Sequence, residues 1–317
     1  MKVLITGGAG FIGSHIADRL AADGHDLVIL DDLSTGHVEQ IHAKARFYQM
    51  DLGSPWLDEL FRIEQPEAVI HQAAQASVRR SVDDPVFDAK VNVLGIAAVL
   101  QASVKHKVRR FLFASTGGAL YGDATVTPTP EDSPTLPVSP YGASKLAGEV
   151  YLQTFHALHG LPYVALRYAN VYGPRQDPHG EAGVVAIFAR RLLAREPARI
   201  NGDGRQTRDF VYVGDIAEAN ARALQSSLTG SFNVGTGRET DINTIFTILK
   251  RLTGSEQPAQ HGPGLAGEQQ RSVVDPRKLE AALGWKPATT LEEGLTATVR
   301  FFRSGPAPAS PVPARHD

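Results

Sequence analysis

Tyr141 and Lys145 are the residues best suited to chemistry, and they lie four positions apart in Pro-Tyr-Gly-Ala-Ser-Lys. On a helix they would share one face. A nearby ammonium stabilises a phenolate, and so does the positive charge of a bound nicotinamide, so Tyr141 could exchange a proton with a hydroxyl near neutral pH. Thr116, next to Ser115 after a predicted strand, could hold the same oxygen. These residues predict hydride removal from a carbinol with Tyr141 as base, although Tyr141 and Lys145 alone would also suit an exposed helix pair.

A glycine-rich stretch near the start of the chain predicts the site for the hydride acceptor. Gly7, Gly10 and Gly13 follow the apolar run 2–6 and precede apolar residues at helical spacing. Strand, glycine turn and helix form the context in which this motif binds a dinucleotide pyrophosphate at the helix N-terminus. Gly7 would allow the turn, Gly10 the approach of the backbone to the pyrophosphate, and Gly13 close packing of helix on strand. The alternative is a glycine-rich turn without a ligand.

Two adjacent carboxylates select the form of the dinucleotide. A second apolar run, 26–30, ends in Asp31 and Asp32. An acid roughly 20 residues beyond the glycines binds the ribose diol and repels a 2′-phosphate. The sequence therefore predicts NAD rather than NADP.

The composition is that of an ordinary globular protein. The 317 residues are 42% hydrophobic and 21% charged, with a formal net charge of −2, which gives no reason to expect nucleic acid or an anionic membrane as partner. Cysteine is absent from the sequence, which excludes disulfides and thiolate chemistry. The histidines lack metal-ligand spacing, so no metal is expected. We recognise no signal peptide and no apolar run of the roughly 18 residues that span a bilayer, which favours a cytoplasmic protein.

Alternating strand-like and helix-like segments predict the fold of the first half. Strands are predicted at 2–6, 26–30, 46–50, 68–71, 110–114 and 162–167, and helices after the glycines and at 55–63, 92–105 and 140–159. This order is typical of right-handed crossovers and a parallel sheet. Ligands bind at the carboxyl ends of such strands. Asp31, Asp51, the loop after His71, and Ser115-Thr116 would all lie there.

The alternation weakens after residue 170. Helices are predicted at 184–195, 217–228 and 243–252, strands at 200–215 (after a turn) and 231–234. We therefore expect a Rossmann-type doubly wound α/β domain at 1–170, to which parts of 210–240 return. A smaller α/β substrate lobe is expected at 171–302. The Pro/Ala-rich tail, 303–317, has too few large apolar residues to predict packed structure.

The motifs together resemble the extended short-chain dehydrogenase/reductase family, and within it the UDP-glucose 4-epimerases most. They are GGAGFIGSH, Asp31-Asp32, Asp51-Leu52, Ser115-Thr116, YGASK, RYAN, GDGRQTRDFVYV and LGWKP, and the resemblance covers about 1–302. It implies a tightly held NAD⁺ that is reduced and reoxidised within one turnover. It also implies a UDP-sugar substrate and a 4-keto intermediate that rotates before the hydride returns.

The resemblance carries roles onto individual positions. It implies catalysis by Thr116, Tyr141 and its supporting cation Lys145. The implied cofactor contacts are Gly7, Gly10, Phe11, Ile12, Gly13, Asp31, Asp32, Asp51, Leu52, Ala73, Ala74, Gln75, Asn92, Tyr141 and Lys145. The implied substrate contacts are Ser77, Thr116, Tyr141, Asn170, the backbone near Val184, Arg208 and Arg271. A guanidinium suits a diphosphate bidentately, although Arg208 would also suit a surface pair with Asp209. Asn170 would also suit a loop cap.

Three departures from the family pattern bear on the substrate. The family often has an Arg-Pro-Gly-Glu stretch that binds the diphosphate, whereas residues 265–268 here read Leu-Ala-Gly-Glu. Either Arg271 replaces that arginine, or the diphosphate is held more loosely. Ser272 is small beside the expected 2-substituent of the sugar, which leaves UDP-GlcNAc and UDP-GalNAc open as substrates. Gly117-Gly118 stand where the dehydratase relatives have Asp-Glu, which favours an epimerase over a dehydratase.

Alternative functions and the assembly complete the expectations. Another nucleotide-sugar dehydratase or net oxidoreductase is the second enzyme hypothesis, and a non-catalytic NAD-binding protein the third. Relatives commonly pair through the helices that match 92–105 and 141–157, so a homodimer is expected. Small residues there, such as Gly95 and Gly148, would permit close packing between chains or inside one.

Overall fold

The computed structural model describes residues 1–178, 183–264 and 269–305. Within them the strands are β1 (Lys2–Thr6), β2 (Asp26–Asp31), β3 (Arg46–Gln49), β4 (Ala68–His71), β5 (Arg110–Thr116), β6 (Tyr163–Tyr168), β7 (Asn170–Tyr172), β8 (Ala198–Asn201), β9 (Thr207–Arg208), β10 (Phe210–Tyr212), β11 (Gly230–Val234), β12 (Thr240–Asp241), β13 (Ala259–Gly262) and β14 (Arg271–Ser272). The helices are α1 (Phe11–Ala22), α2 (Leu57–Glu64), α3 (Val78–Asp83), α4 (Pro85–Ala89), α5 (Gly95–Lys105), α6 (Gly117–Leu120), α7 (Pro140–His159), α8 (Val184–Leu193), α9 (Val213–Gln225), α10 (Ile242–Thr253), α11 (Arg277–Leu283) and α12 (Leu291–Ser304).

A seven-stranded parallel sheet forms the centre of the described fold. Its strand order is β11-β6-β5-β4-β1-β2-β3, and each neighbouring pair runs parallel. Its strands are buried almost throughout, which explains their continuous apolar sequence. The predicted Rossmann-type doubly wound sheet is confirmed.

Apolar layers cover both faces of the sheet. One cluster packs α1 and α9 against it, and the other packs α2, α5 and α7. A third cluster joins α8, α10 and α12 away from the sheet. Strand β11 pairs with β6 at the edge of the sheet. The chain therefore returns to the sheet after it has formed α8, a helix of the third cluster.

One helix begins earlier than predicted. The sequence predicted a helix from residue 92, but α4 begins at Pro85 and continues through a π-helical turn, Lys90–Leu94, into α5. The side chain of Asp84 accepts a hydrogen bond from Phe87 N at 2.9 Å and caps this start. The π turn interrupts the regular apolar spacing, so the first two turns lacked a helical period.

The span Pro85–Lys105 is long and apolar enough to cross a membrane by length and composition, although Asp88 and Lys90 interrupt its apolar sequence. Of its most apolar 18-residue window, 44% is buried within the protein, where α5 packs against α2 and α7. A core helix of a globular domain meets the same criterion, so this helix is weak evidence for a membrane.

Candidate active site

The glycine turn between β1 and α1 is packed as closely as its sequence suggested. Gly7 has a φ of +70°, and a methyl group there would lie 2.6 Å from Ala73 N. A methyl group on Gly13 would lie 2.1 Å from Gly7 O. On Gly10 it would approach only that same oxygen, at 3.3 Å. Phe11 and Ile12 begin α1 directly after these glycines. The first amides of a helix have no partner within it, and here they follow a turn made largely of glycine.

Asp31 links this turn to the end of β2. Its carboxylate is 7% exposed and accepts hydrogen bonds from Ala9 N at 3.0 Å and Leu33 N at 2.9 Å. Burial raises its pKa, and these two amides oppose the rise. Asp32 is exposed and binds Ser34, while Asp51 is exposed and binds Gly53 N. Leu52 is buried beside Asp51.

The loop after β4 is held by a buried amide network. Asn92 lies in the π turn and exchanges hydrogen bonds with the backbone of Gln75, accepting at 2.9 Å and donating at 2.9 Å. The Gln75 amide donates to Asp88 at 2.9 Å, and its oxygen accepts from Ser77 N at 2.6 Å. Ala73 and Ala74 lie in the same loop, and Ser77 caps α3. A π turn aims Asn92 at this loop, as such turns frequently do at functional sites.

The three predicted catalytic side chains meet at the carboxyl end of β5. Thr116 is the last residue of β5, and its Oγ1 accepts from Ala119 N at 3.2 Å. The side chain of Thr116 lies near the hydroxyl of Tyr141 and lowers its pKa. Lys145 lies one helical turn further along α7, 4% exposed, and its Nζ donates to Ala114 O at 2.9 Å.

The pKa of Tyr141 depends on burial and on the groups around its hydroxyl. Although the residue is only partly buried, its hydroxyl is enclosed, and burial raises its pKa to about 12. The charge of Asp88 raises it further, and the nearby Thr116 side chain opposes both. Lys145 Nζ lies 5.9 Å from the Tyr141 ring centroid and is bound to Ala114 O. The protein's own groups therefore keep Tyr141 protonated at neutral pH.

Lys145 is the cation beneath this site. Burial lowers its pKa to about 8, while Asp88 raises it. His71 lies behind it, stacked on Phe113 at 5.9 Å, with its Nδ1 2.7 Å from Thr6 Oγ1. Burial, and then the charge of Lys145, lower the pKa of His71 to about 3. His71 is therefore neutral at physiological pH, and its predicted structural role fits this position.

Asn170 and Ser272, both predicted to lie beside the substrate, lie with Thr116 around Gly118. A methyl group built on Gly118 would lie 3.8 Å from Ser272 Oγ and 3.9 Å from both Asn170 Oδ1 and Thr116 Oγ1. These three polar atoms border a recess that Gly118 leaves open. Gly117 differs, since a methyl group there would lie 2.5 Å from Val274 Cγ1.

The remaining substrate residues lie on the outer elements. Arg208 is on β9, in register with Ser272 of β14, and its Nη1 donates to Thr207 O at 2.8 Å. The carboxylate of the neighbouring Asp209 accepts hydrogen bonds from Thr236 and Gly237, rather than forming the alternative surface pair with Arg208. Arg271 is exposed and paired with Glu239 Oε1 at 2.6 Å, and Val184 begins α8.

Some predictions fall outside the described residues. The departure at 265–268 lies there, as does His179. Within the ranges that the structure describes, no group of three or more His, Cys, Asp or Glu could hold a metal ion.

This chain is similar to known proteins in both sequence and fold. Residues 3–235 match the model of the NAD dependent epimerase/dehydratase family. The chain belongs to this family. A solved UDP-glucose 4-epimerase of Thermotoga maritima, with UDP-glucose, is 47% identical; the match covers 96% of this chain and 99% of that one, with a TM-score of 0.94. A UDP-glucose 4-epimerase of Thermus thermophilus in complex with NAD is 47% identical over the same shares, with a TM-score of 0.92. The putative UDP-glucose 4-epimerase of Methanocaldococcus jannaschii is 46% identical over 95% of this chain and 98% of its own.

The sequence did not reveal two buried carboxylates near this site, Asp88 on α4 and Glu149 on α7. Asp88 is 1% exposed and accepts from the side-chain amides of Gln75 and Asn92. Glu149 is 1% exposed and pairs with Arg167 at 2.7 Å. The spacing of Tyr141, Lys145 and Glu149 at intervals of four was the available signal for Glu149.

Proposed function

We propose that this chain catalyses the NAD-dependent 4-epimerisation of a UDP-hexose, with UDP-glucose and UDP-galactose as first substrates. The observation that carries the proposal is the meeting of Thr116 of β5 with Tyr141 and Lys145 of α7 at the edge of the sheet that also holds the glycine turn. This edge is where ligands bind in open parallel sheets. The family and the 46–47% identity to UDP-glucose 4-epimerases support the same reaction.

The residues of the glycine turn fit NAD. The turn has a methyl-free surface at the first amides of α1, which suits a diphosphate. The buried Asp31 suits a ribose diol and disfavours a 2′-phosphate. Gln75 and Asn92 fix the backbone of the loop that faces Gly7. When bound, NAD⁺ supplies the hydride acceptor and a positive ring charge.

Thr116 and Tyr141 would act together on the sugar. Thr116 holds the 4-hydroxyl, and Tyr141 takes its proton as the hydride leaves C4. The pKa of Tyr141 is about 12 with the protein's groups alone, so proton release needs a further positive charge beside the phenol. Lys145 contributes charge at longer range and is oriented by Ala114 O. After the 4-keto sugar rotates, Tyr141 returns the proton to the oxygen on the other face.

Arg208 and Asn170 would hold the substrate at either end. The Arg208 guanidinium suits the diphosphate, and Asn170 borders the recess beside Thr116. Val184, at the start of α8, lies where the nucleotide is expected. The substrate lobe is assigned to residues 171–302 and the cofactor domain to 1–170 with β11 and α9.

N-acetylated UDP-sugars are a second substrate class. Ser272 is small, and its Oγ lies with Asn170 Oδ1 around the methyl position of Gly118, which would offer hydrogen-bonding partners to a sugar substituent. A dehydratase is less well supported, because Gly117 has no space for a side chain and Gly118 carries none.

We also propose a cytoplasmic homodimer that uses the exposed sides of α5 and α7. Leu94, Val150 and Leu158 are 64%, 51% and 71% exposed there, an apolar surface that a second copy would cover. Gly148 faces inward instead, since a methyl group would lie 2.7 Å from the Phe113 ring. Leu94→Glu should produce monomers in light-scattering measurements, whereas Ile63→Glu on the exposed side of α2 should not. Equal masses for the two variants would contradict this interface.

The activity test uses purified protein without added reductant. UDP-galactose should be converted to UDP-glucose, and chromatography of UDP-GalNAc would test the second substrate class. Tyr141→Phe should lose turnover but retain NAD. Turnover that survives in this variant would show that Tyr141 is not the base. If neither sugar reacts while NAD is bound, the substrate is another nucleotide sugar.

A further inference from the structure

Glu149 is a fully buried carboxylate whose role the proposed chemistry does not explain. It accepts hydrogen bonds from Ser115 Oγ at 2.5 Å, Ser231 Oγ at 2.7 Å, and Arg167 at 2.9 Å (Nε) and 2.7 Å (Nη2). Desolvating such a pair is costly, and apolar replacements of similar volume are often as stable. Stability alone therefore does not account for a buried pair at this position.

The location of Glu149 relates it to the catalytic side chains. Tyr141, Lys145 and Glu149 lie on successive turns of one face of α7. Ser115, which donates to Glu149, directly precedes Thr116 on β5. Lys145 donates to Ala114 O one residue earlier. Two adjacent residues of β5 are thus tied to the same face of α7.

Arg167 extends this tie to the chain between β5 and α7. Its Nη1 donates to Tyr121 OH at 2.8 Å and to Glu131 O at 3.3 Å. Tyr121 OH in turn donates to Asn233 Oδ1 at 2.7 Å. The pair therefore fixes the strand that carries Thr116, the helix that carries Tyr141 and the loop that joins them.

We propose that Glu149, held by Arg167, is a positioning residue that aligns Thr116 with Tyr141 through Ser115. The inference rests on the proposed function, in which both hydroxyls must meet one sugar oxygen. It assigns Glu149 no contact with substrate and no proton transfer. Because a displacement of about 1 Å can cost about 100-fold in rate, loosening this tie should reduce kcat more than binding.

Two serines provide matched variants. Ser115→Ala and Ser231→Ala each remove one hydroxyl donor from Glu149, but only Ser115 adjoins Thr116. Ser115→Ala should lower kcat for UDP-galactose roughly 10-fold while KM and bound NAD stay near wild type. Ser231→Ala should stay within about 2-fold of the wild-type kcat. Equal losses of kcat in the two variants, or losses that follow their melting temperatures, would overturn the positioning role.

The buried pair can also be replaced as a unit. Glu149→Leu with Arg167→Met leaves no lone buried charge, so folding should survive. Its kcat should fall roughly 100-fold at near-normal KM. A folded double variant with wild-type kcat would contradict the inference.

Crystal structures separate this inference from the proposed function. An inactive wild-type protein would refute the proposed reaction but leave the geometry measurable. The separation of Thr116 Oγ1 from Tyr141 Oη should then change in Ser115→Ala and not in Ser231→Ala. An unchanged separation in Ser115→Ala would refute the positioning role whatever the substrate.

Discussion

Gly13→Ala and Gly10→Ala distinguish the two functions of the glycine turn. A methyl group at Gly13 would lie 2.1 Å from Gly7 O and 2.9 Å from Gly8 Cα, whereas ordinary contacts begin at 3.4 Å. The turn and α1 would have to separate by more than an ångström. At Gly10 the only neighbour is Gly7 O at 3.3 Å, which a shift of a tenth of an ångström relieves.

The expected magnitudes follow from this difference. Overpacking of a tight contact costs about 1–3 kcal/mol, which lowers the melting temperature by roughly 2–5 °C in a protein of this size. Gly13→Ala should show this fall and lose NAD as well. Gly10→Ala should melt near wild type but bind NAD more weakly, because its methyl group would face the diphosphate.

Thermal melting and calorimetric titration with NAD would measure both effects. Gly24→Ala is a control for the residue type, since no atom lies within 4 Å of its methyl position, although its φ of +79° adds backbone strain. An unchanged melting temperature in Gly13→Ala would refute the argument from close packing. Wild-type NAD affinity in Gly10→Ala would show that the diphosphate does not lie at this turn.

Three further predictions concern charge and space. Burial lowers the pKa of His15 to about 4, so the wild-type protein should lose stability as pH falls from 6.5 to about 4. His15→Gln should flatten that loss by on the order of 3 kcal/mol, measured by urea unfolding across this range. Burial lowers the pKa of Lys145 to about 8, so the folded state disfavours its charged form. The free energy of unfolding of the wild type should therefore rise relative to that of Lys145→Met between pH 8 and 10.5. The variant should lack turnover at every pH. Gly118→Ala should melt like wild type but raise KM several-fold, because its methyl group enters the recess between Asn170 and Ser272; unchanged steady-state kinetics would place the sugar elsewhere.

The cofactor half of the fold could be predicted from sequence because its signals are local. Strand β1 runs from Lys2 to Thr6 as predicted, and β4 from Ala68 to His71, since buried parallel strands are short continuous apolar runs. The spacing of Gly7, Gly10 and Gly13 predicted the tight turn between β1 and α1. Both depend on residues within one βα unit.

The start of the helix at Pro85 was missed although its signal is present. Asp84-Pro85 combines a capping carboxylate with proline at the first helical position. The π turn that follows shifts the apolar residues out of a 3.6-residue period. A local break in periodicity therefore concealed the segment that carries Asp88 and directs Asn92.

The short strands of the second half could not be predicted. Strands β9, β12 and β14 each contain two residues, too few for any periodicity. Their pairing joins Arg208 to Ser272, 64 positions apart in the chain. Only the tertiary structure brings these segments to one edge.

The buried charges around α7 explain why the chemistry was predicted better than its electrostatics. Sequence identifies Tyr141 and Lys145, but an isolated Asp or Glu normally indicates an exposed surface. Asp88 accepts hydrogen bonds from the neutral amides of Gln75 and Asn92, and its charge raises the pKa of both Tyr141 and Lys145. Glu149, in contrast, is paired with Arg167. Burial is the largest cause of the raised pKa of Tyr141 and of the lowered pKa of Lys145, and the charge of Asp88 adds to the first shift and opposes the second. Tyr141 is consequently a base only when a positive charge beyond those of the protein lies beside it, which would restrict proton removal to the moment of oxidation.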